Sequence, residues 1–122
     1  MQKKIRILCV EEHQDIAELI SFMLTQQGYE VKTVRNCADC LRSAAEESFD
    51  LYILNDGYPD CDSIELCERL RRMDPRTPVL FLSENLSSHD RSLTTGAQAY
   101  LDKPKDFVSL VRTVEALVNL RR

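Results

Sequence analysis

Short apolar runs alternate with segments of helical periodicity along the whole chain, and no other feature limits its fold as tightly. Residues 5–10 are apolar except for Arg6. Ile16, Leu19, Ile20, Met23 and Leu24 then recur at helical spacing, and Gly28 closes that helix. Residues 30–34 read as a strand of alternating exposure near a sheet edge. Asn36 is placed to cap a helix that turns Cys40, Leu41, Ala44 and Ala45 inward. Residues 51–54 make a buried strand, and a polar loop through Pro59 and Asp60 follows it. Asp62 with Glu65 resembles a capping arrangement for a helix presenting Leu66, Cys67, Leu70 and Met73. Asp74-Pro75 ends it, because the residue before proline is pushed out of the α region. Residues 79–82 form a fourth strand. A helix poor in apolar residues is expected near 87–95, stopped by Gly96, with a short fifth strand at 99–101. Phe107, Leu110, Val111, Val114, Leu117 and Val118 form the apolar stripe of a last helix.

This is a (βα)5 pattern. Nearly continuous apolar strands joined by helices require a parallel sheet covered on both faces. Right-handed crossovers leave few topologies, and the expected one is the doubly wound, flavodoxin-like α/β fold with strand order 2-1-3-4-5. The 122 residues, 1–122, fit a single domain.

The 43% apolar and 30% charged content is that of a soluble globular chain. A net charge of −4 argues against general affinity for nucleic acid or anionic membrane. No apolar run approaches a membrane span and no signal-peptide pattern is present, so the expected location is the cytoplasm. Five cysteines, an odd number, exclude a framework in which every cysteine is bridged. Cys37-x-x-Cys40 has the spacing of a redox or zinc pair. No second cysteine or histidine pair stands at ligand spacing, however, and His13 and His89 are isolated. The expectation is therefore reduced thiols, with Cys9 and Cys40 as small core residues.

In a doubly wound sheet, ligands sit at the carboxyl ends of the strands, beside the switch point between strands 1 and 3. Polar residues end four of the apolar runs: Glu11-Glu12 after IRILCV, Asn55 after DLYIL, Ser83 after PVLFL, and Lys103 before Pro104 after AYL. Two carboxylates, a hydroxyl and an ammonium at one edge suit a phosphoryl group and a metal. Asn55 is the misfit, since an amide supplies no nucleophilic carboxylate.

The ordered set CVEEHQDI, DLYILND with Pro59 four residues beyond Asn55, PVLFLS and GAQAYLDKP resembles the receiver domain of two-component response regulators, the CheY-like family. The resemblance runs from Lys4 to about Leu120. In that family a strand-3 aspartate accepts phosphate from a histidine kinase or a small phosphodonor. Carried over residue by residue, the resemblance implies that Glu11 and Glu12 take the metal-binding pair. The backbone carbonyl of Gly57 becomes a further ligand, Ser83 and Lys103 hold phosphoryl oxygens, and Tyr100 is the aromatic switch. Lys103-Pro104 matches a bond that is usually cis in the family. The acceptor position is Asn55. The family signals rather than catalyses, so no enzymatic activity is expected. The face of the predicted fourth helix, fifth strand and last helix is implied as the surface for an output or target protein, or for homodimerisation.

The departures from the pattern have physical consequences. Attack on phosphorus needs a charged carboxylate oxygen, which Asn55 lacks, so acyl-phosphate formation there should be negligible. With one carboxylate fewer, the site loses a unit charge worth on the order of a few kcal/mol to a nearby cation. The glutamates also reach about 1.5 Å further than aspartates. Mg²⁺ demands tight octahedral geometry and is expected to bind weakly. Lys103 is expected to pair with Glu11 or Glu12 instead. Asp56, next to Asn55, points to the opposite side of an extended strand, and Asp60 and Asp62 read as loop and cap residues. The expected function is thus a receiver-like signalling domain that works by protein contact without aspartyl phosphorylation. Two alternatives stand beside it: a conventional receiver carrying an engineered Asp-to-Asn change at 55, and a small α/β enzyme or flavin-binding domain. Against the last, no glycine-rich loop follows strand 1.

Overall fold

In the computed structural model the described residues are 4–55, 57–83, 99–102 and 107–121. They form β1 (Arg6–Val10), α1 (Gln14–Thr25), β2 (Glu30–Val34), α2 (Cys37–Glu46), β3 (Leu51–Leu54), α3 (Ser63–Met73), β4 (Val79–Ser83), β5 (Ala99–Asp102) and α4 (Phe107–Arg121). The five strands are parallel, in the order β2-β1-β3-β4-β5. This is the expected topology. The helix expected near 87–95 and its Gly96 stop lie outside the described residues.

Alternation along the strands sorts the core into two layers. Leu8, Val10, Tyr52, Leu54, Val79 and Phe81 face α2 and α3, where Cys40, Leu66, Cys67 and Leu70 meet them. Ile7, Cys9, Leu51, Ile53, Leu80 and Leu82 face the other way, onto Ile20 and Leu24 of α1 and Leu110, Val114, Leu117 and Val118 of α4. Because β1, β3 and β4 are covered on both faces, their sequences read as unbroken apolar runs. Edge strand β2 buries only Val34 fully. Arg6, the one break in the β1 run, lies over the Phe49 ring at 4.9 Å and pairs with Glu47 and Glu30. It closes the amino end of the sheet, away from the candidate site.

Local signals placed the helix ends well. Asn36 caps α2 by accepting from the Asp39 amide at 2.8 Å, and Asp62 caps α3 by accepting from Ile64 at 2.8 Å. Gly28, at φ +89°, ends the turn that follows α1, a conformation that favours glycine. The margins of the apolar stripes differ from expectation. Leu19 and Met73 are each 45% exposed and Ala45 is exposed, while Cys37 and Ser43 of α2 are buried. The buried face of α2 is centred on Cys37, Cys40 and Ser43, because α2 packs against α3 as well as the sheet.

The connection from α3 to β4 is locked by Asp74. Its carboxylate accepts from the Thr77 hydroxyl, from the Thr77 and Arg76 amides at 3.2 and 3.3 Å, and from the Tyr52 hydroxyl at 3.3 Å. Burial raises its pKa, but these bonds outweigh burial and hold it below the ordinary value of 3.8. A carboxyl depressed in the folded state stabilises the fold above its unfolded pKa, and that contribution is lost as pH falls through the folded value. Asp74→Asn should therefore lower the melting temperature at pH 7. The gap to the native chain should narrow below about pH 4, where the unfolded carboxyl takes up its proton. Thermal unfolding across pH 2.5–7 (roughly the span of that titration) checks this.

Candidate functional site

The register of the sheet builds the site. Strands β1 and β3 pair with Ile7 beside Leu51 and Cys9 beside Ile53. Carried two residues further, that register sets Glu11 beside Asn55. Their side chains meet there: Asn55 Nδ2 donates to Glu11 Oε2 at 2.7 Å. The Glu11 amide donates to the Val34 carbonyl at 2.9 Å, so strand β2 anchors the same residue. Glu11 is 1% and Asn55 7% exposed, which makes them a buried polar pair at the carboxyl edge of a parallel sheet. Glu11 Oε2 also accepts from the His13 amide at 3.1 Å and lies 3.3 Å from His13 Nδ1. Burying a carboxylate is costly unless donors surround it, and this one has them.

The two glutamates part company at the strand end. Glu11 turns inward, whereas the Glu12 side chain is exposed and its carbonyl accepts from Arg35 Nε and Nη2 at 3.2 and 3.1 Å. Successive residues leaving a strand point to opposite sides, which accounts for the split. Gly57 follows in the loop after β3, bridged antiparallel to Asp62. A Cβ added at Gly57 would meet nothing within 4 Å, so a role there rests on its backbone carbonyl. Ser83 ends β4 opposite Asp102 of β5, and Tyr100 pairs with Phe81. Both strand ends thus reach the edge that holds Asn55. Lys103, Pro104 and Asp56 lie outside the described residues.

The fit of a metal can be judged from the donors. Glu11, Asn55 and the Gly57 carbonyl offer oxygen, the donor type a hard divalent cation takes. Asn55 Oδ1 is buried and, among the described residues, has no hydrogen-bond donor, so it is the atom such an ion would meet. The donor set fits Mg²⁺ in kind.

Tyr58 is a site residue that sequence reasoning missed. Its hydroxyl accepts from the Asn55 amide and donates to the Val10 carbonyl, both at 2.8 Å. It therefore bridges the ends of β3 and β1 immediately beneath the Glu11–Asn55 pair. Burial pushes the phenol well above its usual pKa, so it stays protonated and keeps its donor. A tyrosine just before Pro59 offers no local pattern that foretells this reach.

The cysteines correct a second expectation. Cys37 and Cys61 form a disulfide with Cα atoms 6.1 Å apart, so these two are not reduced thiols, and Cys37 does not act with Cys40. The polar loop after β3 folds back over the start of α2 and brings Cys61 there. Asp60 travels with it and accepts from the Cys37 and Ala38 amides at 2.8 and 3.0 Å. Those bonds hold its carboxyl below the usual range. Cys9, Cys40 and Cys67 take no part in a disulfide and are buried, as expected for the first two.

The buried acid and amide thus sit at the β1/β3 switch point of a doubly wound sheet, the place where such folds bind ligands. The model of the response regulator receiver domain family matches residues 7–115, and the chain belongs to that family. It is 34% identical over 119 residues to the transcriptional regulatory protein PcoR of Escherichia coli, covering 96% of this chain and 53% of that protein. It is 36% identical over 118 residues to the transcriptional regulatory protein PrrA of Mycobacterium tuberculosis, covering 95% of this chain and 51% of that protein. The chain thus spans about half the length of these curated relatives. Among solved structures it is similar to a CheY-like receiver domain protein from Methanospirillum hungatei. The TM-score is 0.92 at 25% identity, over 98% of this chain and 97% of that one. It is also similar to the response regulator TrrA of Thermotoga maritima in complex with Mg²⁺ and BeF. There the TM-score is 0.86 at 26% identity, over 93% of this chain and 98% of that one. Response regulators act in two-component signalling with histidine kinases and output domains. Among the described residues no helix is long and apolar enough to cross a membrane.

Tyr58→Phe removes one hydroxyl and leaves the Asn55 amide and the Val10 carbonyl each without that partner. It should cost about 1–3 kcal/mol of stability, the range for a buried group left unsatisfied. Urea unfolding of the two proteins measures the difference.

Proposed function

We propose that this chain is a receiver domain that signals through protein contact and does not take a phosphoryl group at position 55. The observation that carries the reading is the Asn55 amide bonded to Glu11. A carboxamide nitrogen that donates to the neighbouring acid has no lone pair to offer phosphorus, and the amide oxygen carries no full charge. The amide also supplies Glu11 with a donor, the part a cation plays between two carboxylates. On this reading Glu11, Glu12 and the Gly57 carbonyl are the inherited metal-binding set, with Mg²⁺ held weakly because one carboxylate is missing and the Glu12 side chain is turned outward. When bound, the ion would offset negative charge at the acceptor position. Ser83 and Lys103 are the inherited phosphoryl-binding pair and Tyr100 the inherited aromatic switch.

The domain acts in the cytoplasm on a histidine kinase, an output domain or a target protein, and it is not itself an enzyme. Its contact surface is the face that includes β5 and α4, which also serves a homodimer. The net charge of −4 is unsuited to direct nucleic-acid binding, so any transcriptional output belongs to a separate segment or partner.

Treatment with acetyl phosphate and Mg²⁺, followed by intact-mass measurement, tests the reading. The native chain should gain nothing, while Asn55→Asp should gain one labile phosphoryl group. A labile phosphoryl group on the native chain would refute the proposal.

A further inference from the structure

We propose that Cys37 and Cys61 form a reversible thiol–disulfide switch, closed by a low-molecular-weight disulfide, that governs the loop carrying Asn55. Beyond Asn55 at the candidate site, residues 57–62 of this loop lead to the cap of α3. At one end the Tyr58 hydroxyl holds Asn55 and Val10 together. The Tyr58 amide donates to the Cys61 carbonyl at 3.2 Å, and Gly57 bridges to Asp62, so the loop is one small hydrogen-bonded unit. At its other end the Cys37–Cys61 bond and the Asp60 carboxylate fasten that unit to the first turn of α2. Opening the bond removes the covalent fastening and leaves the two Asp60 hydrogen bonds.

Disulfides in a reducing cytoplasm are mostly transient and redox-sensing, which is the setting proposed above for this domain. The two sulfurs differ in access. Cys61 is partly exposed and Cys37 is buried, so the reagent meets Cys61 first. The Cys61 thiolate attacks one sulfur of the small disulfide and expels one thiolate, leaving a mixed disulfide. Cys37 then attacks the Cys61 sulfur and expels the second. Two cysteine thiols are oxidised, one disulfide is reduced to two thiols, and the two cysteine protons pass to the leaving thiolates. Cys37 is the first residue of α2, but Asp60 already accepts from the Cys37 and Ala38 amides, and its carboxylate, with an oxygen within 4.8 Å of both sulfurs, opposes a thiolate at Cys37. Cys40, one turn further on, does not compete. Burial pushes its thiol up to about 12.

The regulatory meaning rests on the preceding reading of Asn55: where that position takes no phosphate, the sulfur pair supplies an input to the same loop. The test is a titration of the native chain against defined ratios of reduced to oxidised glutathione. Acid quench, denaturation, alkylation and intact mass follow, with ¹⁵N–¹H spectra recorded at each ratio. Expected are five alkylated cysteines in the reduced form and three in the oxidised form, interconverting reversibly. The amides of Glu11, Asn55, Gly57 and Tyr58 should shift with the same midpoint, and Cys61→Ser should abolish both changes. Failure of the bond to form in the folded chain at any ratio would overturn the switch. So would closure without shifts at those four amides. Reversible closure with the shifts supports the switch even where acetyl phosphate labels the chain, so the two readings fail separately.

Discussion

A carboxylate enclosed at the carboxyl edge of a parallel sheet must be given donors, and the way Glu11 is satisfied organises this site. The β1–β3 register brings it opposite Asn55, and the amide nitrogen meets it at 2.7 Å. An aspartate at 55 would set two negative groups at that distance, tolerable only with a cation between them. Asparagine removes the repulsion and adds a charge-assisted hydrogen bond. On the reading proposed above, the residue that withholds the nucleophile therefore also stabilises the pocket without metal. Tyr58 extends the arrangement below, tying both strand ends through one hydroxyl that burial keeps protonated.

Much of the fold was legible because it rests on local pattern. Unbroken apolar runs mark β1, β3 and β4 as strands covered on both faces, and Asn36 and Asp62 cap helices through bonds only two or three residues long. The strand ends then follow from topology, which is why Glu11, Glu12 and Asn55 could be set at one sheet edge, although the partner expected for the glutamates is Lys103 and the one Glu11 takes is Asn55. Stripe margins were less legible. Leu19, Ala45 and Met73 have apolar side chains at helical spacing, yet burial depends on how far the neighbouring element reaches, and that is a tertiary fact.

What could not be read were contacts made by the loop after β3. Tyr58 reaches a carbonyl 48 residues away in sequence, and Cys61 reaches Cys37 across a separation of 24. Neither contact leaves a periodic or spacing signal, and Cys37-x-x-Cys40 gave a misleading one. The division between Glu11 and Glu12 was hidden for a related reason. Glu11 and Glu12 are expected to act as one acidic pair, but only one can turn into the sheet edge from consecutive positions on a strand.

On the reading proposed above, how this receiver is used turns on the pairing of Glu11 with Asn55. A double-mutant cycle with Glu11→Ala, Asn55→Ala and the combined variant, unfolded in urea without divalent cations, measures that pairing directly. A real charge-assisted bond predicts a coupling of about 1.5 kcal/mol or more. Additivity within about 0.5 kcal/mol would contradict the account, because Glu11 and Asn55 would then be neighbours rather than partners.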